Sequence, residues 1–440
     1  MGVERRAQVI QSLCRQDNSK EEELVEKRKP KPFEISKWTV AKAYEQVKKN
    51  RGAAGIDKQT IDMFGQDAKD NLYKLWNRMS SGTYFPPAVK AVPIPKKNGG
   101  TRTLGIPTVT DRVAQATVRA YLEPEVEPMF HPDSYGYRPG KSAHDAIRVT
   151  RQRCWSHEWL LEFDIVGLFD NIDHGLLMEM VERHAKQKWV LLYIERWLTA
   201  PFEDNGTLTP RTSGTPQGGV ISPLLANIFL HYVFDSFMAS EFPTLPWARY
   251  ADDAVIHCVS KKQALYVRDR LERRFAQYKL ELHPVKTRIV YCGKDKGIRG
   301  QEVSKFDFLG YTFRARSAKN TKTGELFDNF LPAIADKAKK GIRKEIAGWL
   351  LQRQIALEIE DIAEMYNPKI RGWMNYYGKY YPTEVKRVLN HINICLCKWV
   401  KSKYKKHGSW RKAWRWLAKI CQRMPKLFYH WEMGVTPSAG

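Results

Sequence analysis

The chain predicts an α+β fold, and three observations carry that reading. Residues 89 to 106 form two alternating runs joined by Asn98-Gly99-Gly100, a hairpin signature. Residues 245 to 259 form a second hairpin, with apolar runs on either side of Tyr250-Ala251-Asp252-Asp253. Helical periodicity fills most of the remaining chain.

Taken in order, residues 16 to 34 are charge-dense and close on Lys29-Pro30-Lys31-Pro32, so residues 1–35 read as a short N-terminal helix followed by a linker or lid. Residues 38 to 49 are helical, the glycine-punctuated loop 50–57 carries Arg51, and residues 60 to 80 resume as helix. If the first hairpin's loop has three residues, Lys96 lies directly across the ladder from Arg102. Two opposed cations repel, and an incoming triphosphate would relieve that repulsion, Arg offering a planar fork and Lys a point charge. The alternative is a solvated hairpin with snorkelling basic tips. Helices at 111–123 and 141–153 flank Ser134-Tyr135-Gly136-Tyr137-Arg138-Pro139-Gly140, a turn whose tyrosines and Arg138 either meet a template or pack.

Trp159-Leu160-Leu161-Glu162-Phe163-Asp164 reads as a half-buried strand, with Asp164 on the face opposite Trp159, Leu161 and Phe163. Asp164 precedes the next helix by too much to cap it; Asp173 is the better cap. Helices follow at 173–185 and 188–199. The loop 214–223 then offers Gln217 and the glycines 218 and 219, with Ser222 as N-cap and Pro223 opening a helix to about Ala239. Beyond the acidic hairpin come a basic helix at 261–279, a strand at 286–292, a strand pair at 306–313, and helices from 333 to 381. The last of these carries Trp373, Tyr376, Tyr377 and Tyr380 in a stripe that belongs more often to a core than to a ligand platform.

Two adjacent carboxylates have little reason to interrupt an apolar hairpin unless a cation compensates their repulsion and desolvation. With Asp164 added, the layout suits two Mg²⁺ ions, one lowering the pKa of an attacking hydroxyl and the other neutralising a leaving phosphate. Phosphoryl transfer is the chemistry to which the three Asp point.

Composition supports a polyanionic partner. Lys and Arg number 73 against 48 Asp and Glu, a net charge of +25, and 14 Trp, 20 Tyr and 18 Phe supply stacking faces. From residue 386 onward, 13 Lys and Arg face one acid, Glu432, and five tryptophans lie among them, which predicts a folded nucleic-acid-binding region. Its cationic contacts are expected at Lys398, Lys401, Lys403, Lys405, Lys406, Arg411, Lys412 and Arg415, with Arg51 and Arg138 elsewhere in the chain. The seven scattered cysteines lack zinc spacing and read as reduced thiols of a cytoplasmic protein. No apolar run reaches the length of a membrane span, so no membrane partner is expected; oligomeric state is not legible.

Together these stretches resemble the reverse transcriptase and maturase proteins encoded by group II introns. The resemblance runs through residues 51–57, Ile94-Pro95-Lys96 with residues 105–112, 134–139, Phe163-Asp164-Ile165 with Phe169-Asp170, Thr215-Pro216-Gln217-Gly218-Gly219 with residues 222–228, Tyr250-Ala251-Asp252-Asp253, Phe308-Leu309-Gly310-Tyr311 and Ile370-Arg371-Gly372-Trp373-Met374-Asn375-Tyr376-Tyr377. It implies a right hand: fingers and palm over 36–325, a helical thumb or maturase domain over 326–385, and a basic DNA- or RNA-binding domain over 386–440. It implies that Asp164, Ile165, Asp252 and Asp253 hold two Mg²⁺ ions, that the three Asp are catalytic, that Lys96 and Arg102 hold the triphosphate, that Phe169 blocks a ribose 2′-hydroxyl, and that Gln217 lies near the nascent pair. The implied activity is RNA-directed DNA polymerisation, with the parent intron RNA or another RNA template, a DNA primer or target, and deoxynucleoside triphosphates as partners. The His-Asn-His endonuclease with paired cysteines that ends many family members has no counterpart in this sequence. Two other readings are a domesticated or defence-associated reverse transcriptase without an intron partner, and a non-polymerising RNA-binding splicing factor.

Overall fold

A computed structural model of the protein describes residues 31–95, 100–319, 324 and 326–437. The expected N-terminal helix, most of the charged linker and Lys96 therefore lie outside the described residues. In chain order the strands are β1 (Val89–Pro95), β2 (Thr101–Ile106), β3 (Trp159–Phe163), β4 (Phe202–Asp204), β5 (Thr207–Thr209), β6 (Trp247–Tyr250), β7 (Asp253–Cys258), β8 (Arg288–Tyr291), β9 (Lys305–Phe308), β10 (Tyr311–Lys319) and β11 (Leu326–Ile334). They form sheets ordered β2-β1-β4-β5, β6-β7-β3-β8 and β11-β10-β9, which helices separate and follow, so the fold is α+β as the sequence predicts. The chain divides into two compact units.

The first unit comprises residues up to 132, 165–242 and 271–282. Its helices Lys37–Asn50 and Val109–Val126 bury apolar faces that include Val40, Tyr44, Val113 and Val118. The second begins at a true cap: Thr108 has extended backbone and its hydroxyl accepts from Asp111 N at 3.2 Å. β1 and β2 pair antiparallel, but Arg102 falls opposite Ile94, not opposite Lys96. The expected face-to-face cation pair is corrected by that register. The two short strands β4 and β5, unmarked in the sequence, extend this sheet, β4 lying parallel to β1. The helix expected from Pro223 starts at Ser222, so Ser222 is inside the helix instead of capping it, and its hydroxyl accepts from Thr215 Oγ1 at 2.7 Å. That helix widens into a π-turn at His231–Asp235 before Ser236–Glu241.

The second unit holds residues 133–164, 243–270 and 283 onward. β3 is a central strand between β7 and β8, and both faces of the sheet are covered there, since Leu160 and Leu161 point to opposite faces and are both buried. One core joins Leu160, Val255 and Val290 to Phe306, Phe313 and Phe330, with Phe306 and Phe313 stacked at 4.7 Å. A second core runs from Ile334 to Val435 and includes residues of the helices Asp336–Gly348, Ile359–Tyr377, Pro382–Lys403 and Trp410–Arg423. The aromatic stripe packs: Trp373 stacks on Trp349 at 5.9 Å, the Tyr376 hydroxyl donates to Leu309 O at 2.9 Å, and the Tyr380 hydroxyl donates to His144 O at 2.9 Å.

The sequence places a domain boundary between 385 and 386. The boundary falls inside the helix Pro382–Lys403, and Val385, Val388, Leu389, Ile392, Leu396 and Trp399 continue one buried face across it. Trp399 is fully buried and its indole N–H donates to Gln354 O at 3.0 Å, so this tryptophan is core and not a stacking platform. Among the described residues six cysteines are buried free thiols, and no helix is long and apolar enough to cross a membrane.

Candidate active site

The acidic hairpin forms as the sequence predicts. Tyr250 pairs with Asp253 across β6 and β7, leaving Ala251 and Asp252 as a two-residue turn. Ala251 adopts φ 56°, which a non-glycine residue rarely does, and the turn is fixed from two sides. Buried Arg249 donates from Nη1 to Ala251 O at 3.2 Å and from Nη2 to Ser134 Oγ at 2.8 Å. Gly136 lies against the same turn so closely that a Cβ there would meet Ala251 N at 2.4 Å. β3 pairs antiparallel with β7, Phe163 opposite Ala254, so one further step sets Asp164 level with Asp253.

The three carboxylates feel one another. Partial desolvation, then the charges of Asp252 and Asp164, push the Asp253 carboxyl up to about 7. Asp253 is exposed as a residue, yet its carboxyl lies against protein. Asp252 is likewise raised, by desolvation first and also by Asp164. Cations offset this repulsion in part: Lys286 Nζ lies 2.6 Å from Asp164 Oδ2, and Arg249 also acts on Asp252. Beside Lys286, Arg288 pairs with Glu162 at 2.6 Å, although burial outweighs that pairing and raises Glu162 to about 7. Among the described residues no three His, Cys, Asp or Glu side chains are spaced to hold an ion, and Asp164 is engaged by Lys286. The donor set still fits a hard divalent cation, because carboxylate oxygens are what Mg²⁺ takes and the mutual repulsion is what added positive charge would relieve.

Lys286, Glu162 and Arg288 escaped the sequence reading. The signal was a pairing: Arg288 stands opposite Glu162 across β8 and β3, and continuing that register two residues brings Lys286 opposite Asp164.

Within the first unit a second group assembles around the loop 214–221. Phe169, half-buried on the helical turn Leu168–Asn171, accepts at its carbonyl from Thr215 N at 2.7 Å. Gly105 N, on β2, donates to Gln217 O at 2.8 Å, and Gly218, at φ 116°, approaches so closely that a Cβ would lie 2.5 Å from Gly105 O. Phe169, Gln217 and the strand bearing Arg102 thus belong to one structure. Ile165 follows Asp164 and bridges Leu282 through its backbone.

The expected nucleic-acid contacts differ in availability. Lys398, Lys401, Lys405, Lys406, Arg411, Lys412 and Arg415 are exposed. Lys403 is not: its ammonium donates to Leu357 O and Glu358 Oε1, both at 2.6 Å, with 13% of the side chain exposed. Its charge is engaged inside the protein. Trp410 and Trp414 stack at 6.1 Å, with Lys401 Nζ 5.7 Å from the Trp410 ring. Arg51 ends its helix at φ 53° and its carbonyl accepts from Arg112 Nη1 at 3.3 Å, while Arg138 Nη1 donates to Ser134 O at 2.8 Å.

Comparison with known proteins shows the family. Residues 94–313 match the reverse transcriptase (RNA-dependent DNA polymerase) family, and residues 339–417 match the group II intron maturase-specific domain. The chain is 30% identical over 421 residues to the group II intron-encoded protein LtrA of Lactococcus lactis subsp. cremoris, covering 76% of this chain and 68% of that protein. It is 35% identical over 193 residues to protein YkfC of Escherichia coli, 43% of this chain and 50% of the relative. Nuclear intron maturase 1 of Arabidopsis thaliana, a mitochondrial protein, is 32% identical over 102 residues, 23% and 14% of the two chains. Polymerase match, maturase match and extended similarity follow one another along a single polypeptide, and the chain belongs to the group II intron-encoded reverse transcriptase and maturase family of RNA-directed DNA polymerases.

Proposed function

We propose that Asp164, Asp252 and Asp253 are the catalytic carboxylates of this polymerase and hold two Mg²⁺ ions, with Ile165 beside them. The observation that carries this reading is the crowding of three carboxylates around one lysine: Asp252 and Asp253 are raised, and Lys286 already pairs with Asp164. Bound there, the ions would activate the primer 3′-hydroxyl and offset charge on the departing pyrophosphate. The chain's own contribution is positional: the β6–β7 turn, fixed by Arg249 and Gly136, holds two acids level with the end of β3. Phe169 walls off a ribose 2′-hydroxyl, Gln217 lies near the nascent pair, and Arg102 with Lys96 receives the triphosphate, the hydrogen bonds that join the 214–221 loop to Phe169 and to β2 supporting a common site.

The right-hand arrangement is part of the same proposal: fingers and palm to about 325, then a thumb whose helices share one core with the basic C-terminal region. The RNA partner is the parent group II intron, which the protein helps to splice and then copies, with DNA as primer or target. The test is Asp252→Asn, which should abolish primer extension on an RNA template while intron RNA affinity stays nearly intact, because that charge serves the metals and touches no phosphate of the bound RNA. Substantial extension by this variant at saturating Mg²⁺ would remove Asp252 from the catalytic set.

A further inference from the structure

We propose that Asp111 and Gln115 act as a polarity relay that holds the loop 215–221 in its nucleotide-receiving shape, so that both are positioning residues for polymerisation. The proposal rests on the reading of Phe169 and Gln217 as nucleotide-site residues.

Asp111 is 1% exposed and Gln115 2% exposed, one turn apart on the helix Val109–Val126. Asp111 Oδ1 accepts from the Tyr84 hydroxyl at 2.9 Å and from Trp197 Nε1 at 2.6 Å, and Oδ2 accepts from Gln115 Nε2 at 2.9 Å. An ionised carboxylate accepts at both oxygens and satisfies all three donors at once. With its NH₂ facing the carboxylate, Gln115 turns Oε1 the other way, where it accepts from Val220 N at 2.8 Å and Ile221 N at 3.3 Å. The reversed amide would set NH₂ against two backbone donors. The charge state of one buried acid therefore fixes the direction of an amide, and that amide fixes the end of the loop.

The same loop continues to the proposed nucleotide site. Thr215 N holds the Phe169 carbonyl, and the Gln217 carbonyl is held by Gly105 N. Gly219 lies over the relay, where a Cβ would sit 3.2 Å from Gln115 Oε1. Burial raises the Asp111 carboxyl, and the three donors and the Arg211 guanidinium offset part of that rise, leaving it at about 6, below neutral pH. A buried ionised acid is a destabilising way to build a core, and its presence here is explained if the group must accept on both sides.

The test uses the full-length protein and three variants: D111N, Q115E and the double D111N/Q115E. D111N turns a donor toward Gln115 and should raise amide exchange at Val220 and Ile221 by about tenfold or more. It should also raise nucleotide KM more than it lowers kcat, and weaken discrimination between deoxy- and ribonucleotides. The double variant moves the carboxylate to position 115, where it accepts both from the loop N–H groups and from the new amide at 111. Protection, KM and discrimination should return toward wild type, although Q115E alone is the most damaged of the three. An effect on fold alone would lower the melting temperature of D111N without a KM-against-kcat split. Unchanged exchange and KM in D111N, or a double variant no better than D111N, overturns the relay. Phe169→Ala and Gln217→Ala serve as controls: if neither alters nucleotide KM or discrimination, the nucleotide-site reading fails and the exchange data alone decide the relay.

Discussion

Lys286 Nζ lies 2.6 Å from Asp164 Oδ2, and the register of β8 on β3 is what brings them together. Glu162 and Arg288 form the neighbouring rung, so two acids on one strand face two bases on the next. The lysine occupies the place of a counter-ion. Its side chain is 52% exposed against 15% for Asp164, which lets it withdraw when a stronger cation arrives.

Lys286→Ala should therefore lower the Mg²⁺ concentration needed for half-maximal primer extension. Removing a competing charge from beside a partly solvated carboxylate strengthens divalent binding by roughly 1 kcal/mol, a several-fold effect. A magnesium titration at fixed nucleotide concentration reads it directly. A higher Mg²⁺ requirement in the variant would mean that Lys286 serves the substrate and not the metal-free carboxylates.

Phe169→Ala should admit ribonucleotides. An apolar wall excludes a hydroxyl by bulk and leaves no polar group unsatisfied when it is removed, and the backbone bond from Thr215 N to Phe169 O survives the change. The ratio of kcat/KM for deoxy- over ribonucleotides should fall by roughly 10- to 100-fold, a transition-state difference of the size one steric contact gives. An unchanged ratio would assign the gate to another residue.

Acid should destabilise the protein before its carboxylates titrate fully. His430 is fully buried; its Nε2 pairs with Asn393 Oδ1 at 2.9 Å, and burial pushes it down to about 3. Burial also lowers His257 well below its ordinary value, helped by the charges of Arg153 and His157. Both folded-state values are depressed, so the unfolded chain takes up protons first, near pH 6.5. The stability from these neutral rings is complete above that pH and declines as pH falls toward 3, by at most about 1.4 kcal/mol per pH unit for each ring. Melting temperatures between pH 7 and pH 4 should show the decline, and His430→Gln should flatten it. A variant with the same slope as wild type would clear His430 of the effect.

What the sequence reveals here depends on how local the signal is. Asp252 and Asp253 announce themselves because charge interrupts an apolar hairpin, and Asp164 because it ends a period-two strand. Lys286 does not, since its partner is 122 residues away and only strand pairing brings them together. The position of Arg102 depends on how many residues the Asn98-Gly99-Gly100 turn consumes, which its composition leaves open; the structure sets Arg102 opposite Ile94. β4 and β5, three residues each, are too short for any period to register. At residue 386 charge changes abruptly while the apolar spacing of Val385, Val388, Leu389, Ile392 and Leu396 does not, and packing follows the apolar spacing.

That continuity changes how the basic C-terminal region is best tested. Cutting at 386 would strip Val388, Leu389, Ile392, Leu396 and Trp399 from a core that also holds Ile346, Ile362 and Ile370, so loss of activity would report unfolding. Burying a tryptophan as completely as Trp399 makes its truncation alone worth about 3 to 5 kcal/mol. Surface charge is separable from that core. Arg411, Lys412 and Arg415 are exposed on the helix Trp410–Arg423, whose buried residues are Ala413, Leu417 and Cys421. Replacing the three cations with Gln keeps helix propensity and removes three charges. Extension of a short annealed primer should persist, and the melting temperature should hold. Affinity for long structured RNA or target DNA should fall, and the slope of log K against log salt should flatten by roughly 0.7 to 0.9 for each phosphate that the helix no longer neutralises. Equal affinity and an equal salt slope in the triple variant would show that this helix does not touch the backbone of nucleic acid; loss of short-primer extension in a folded protein would make it part of the polymerase itself.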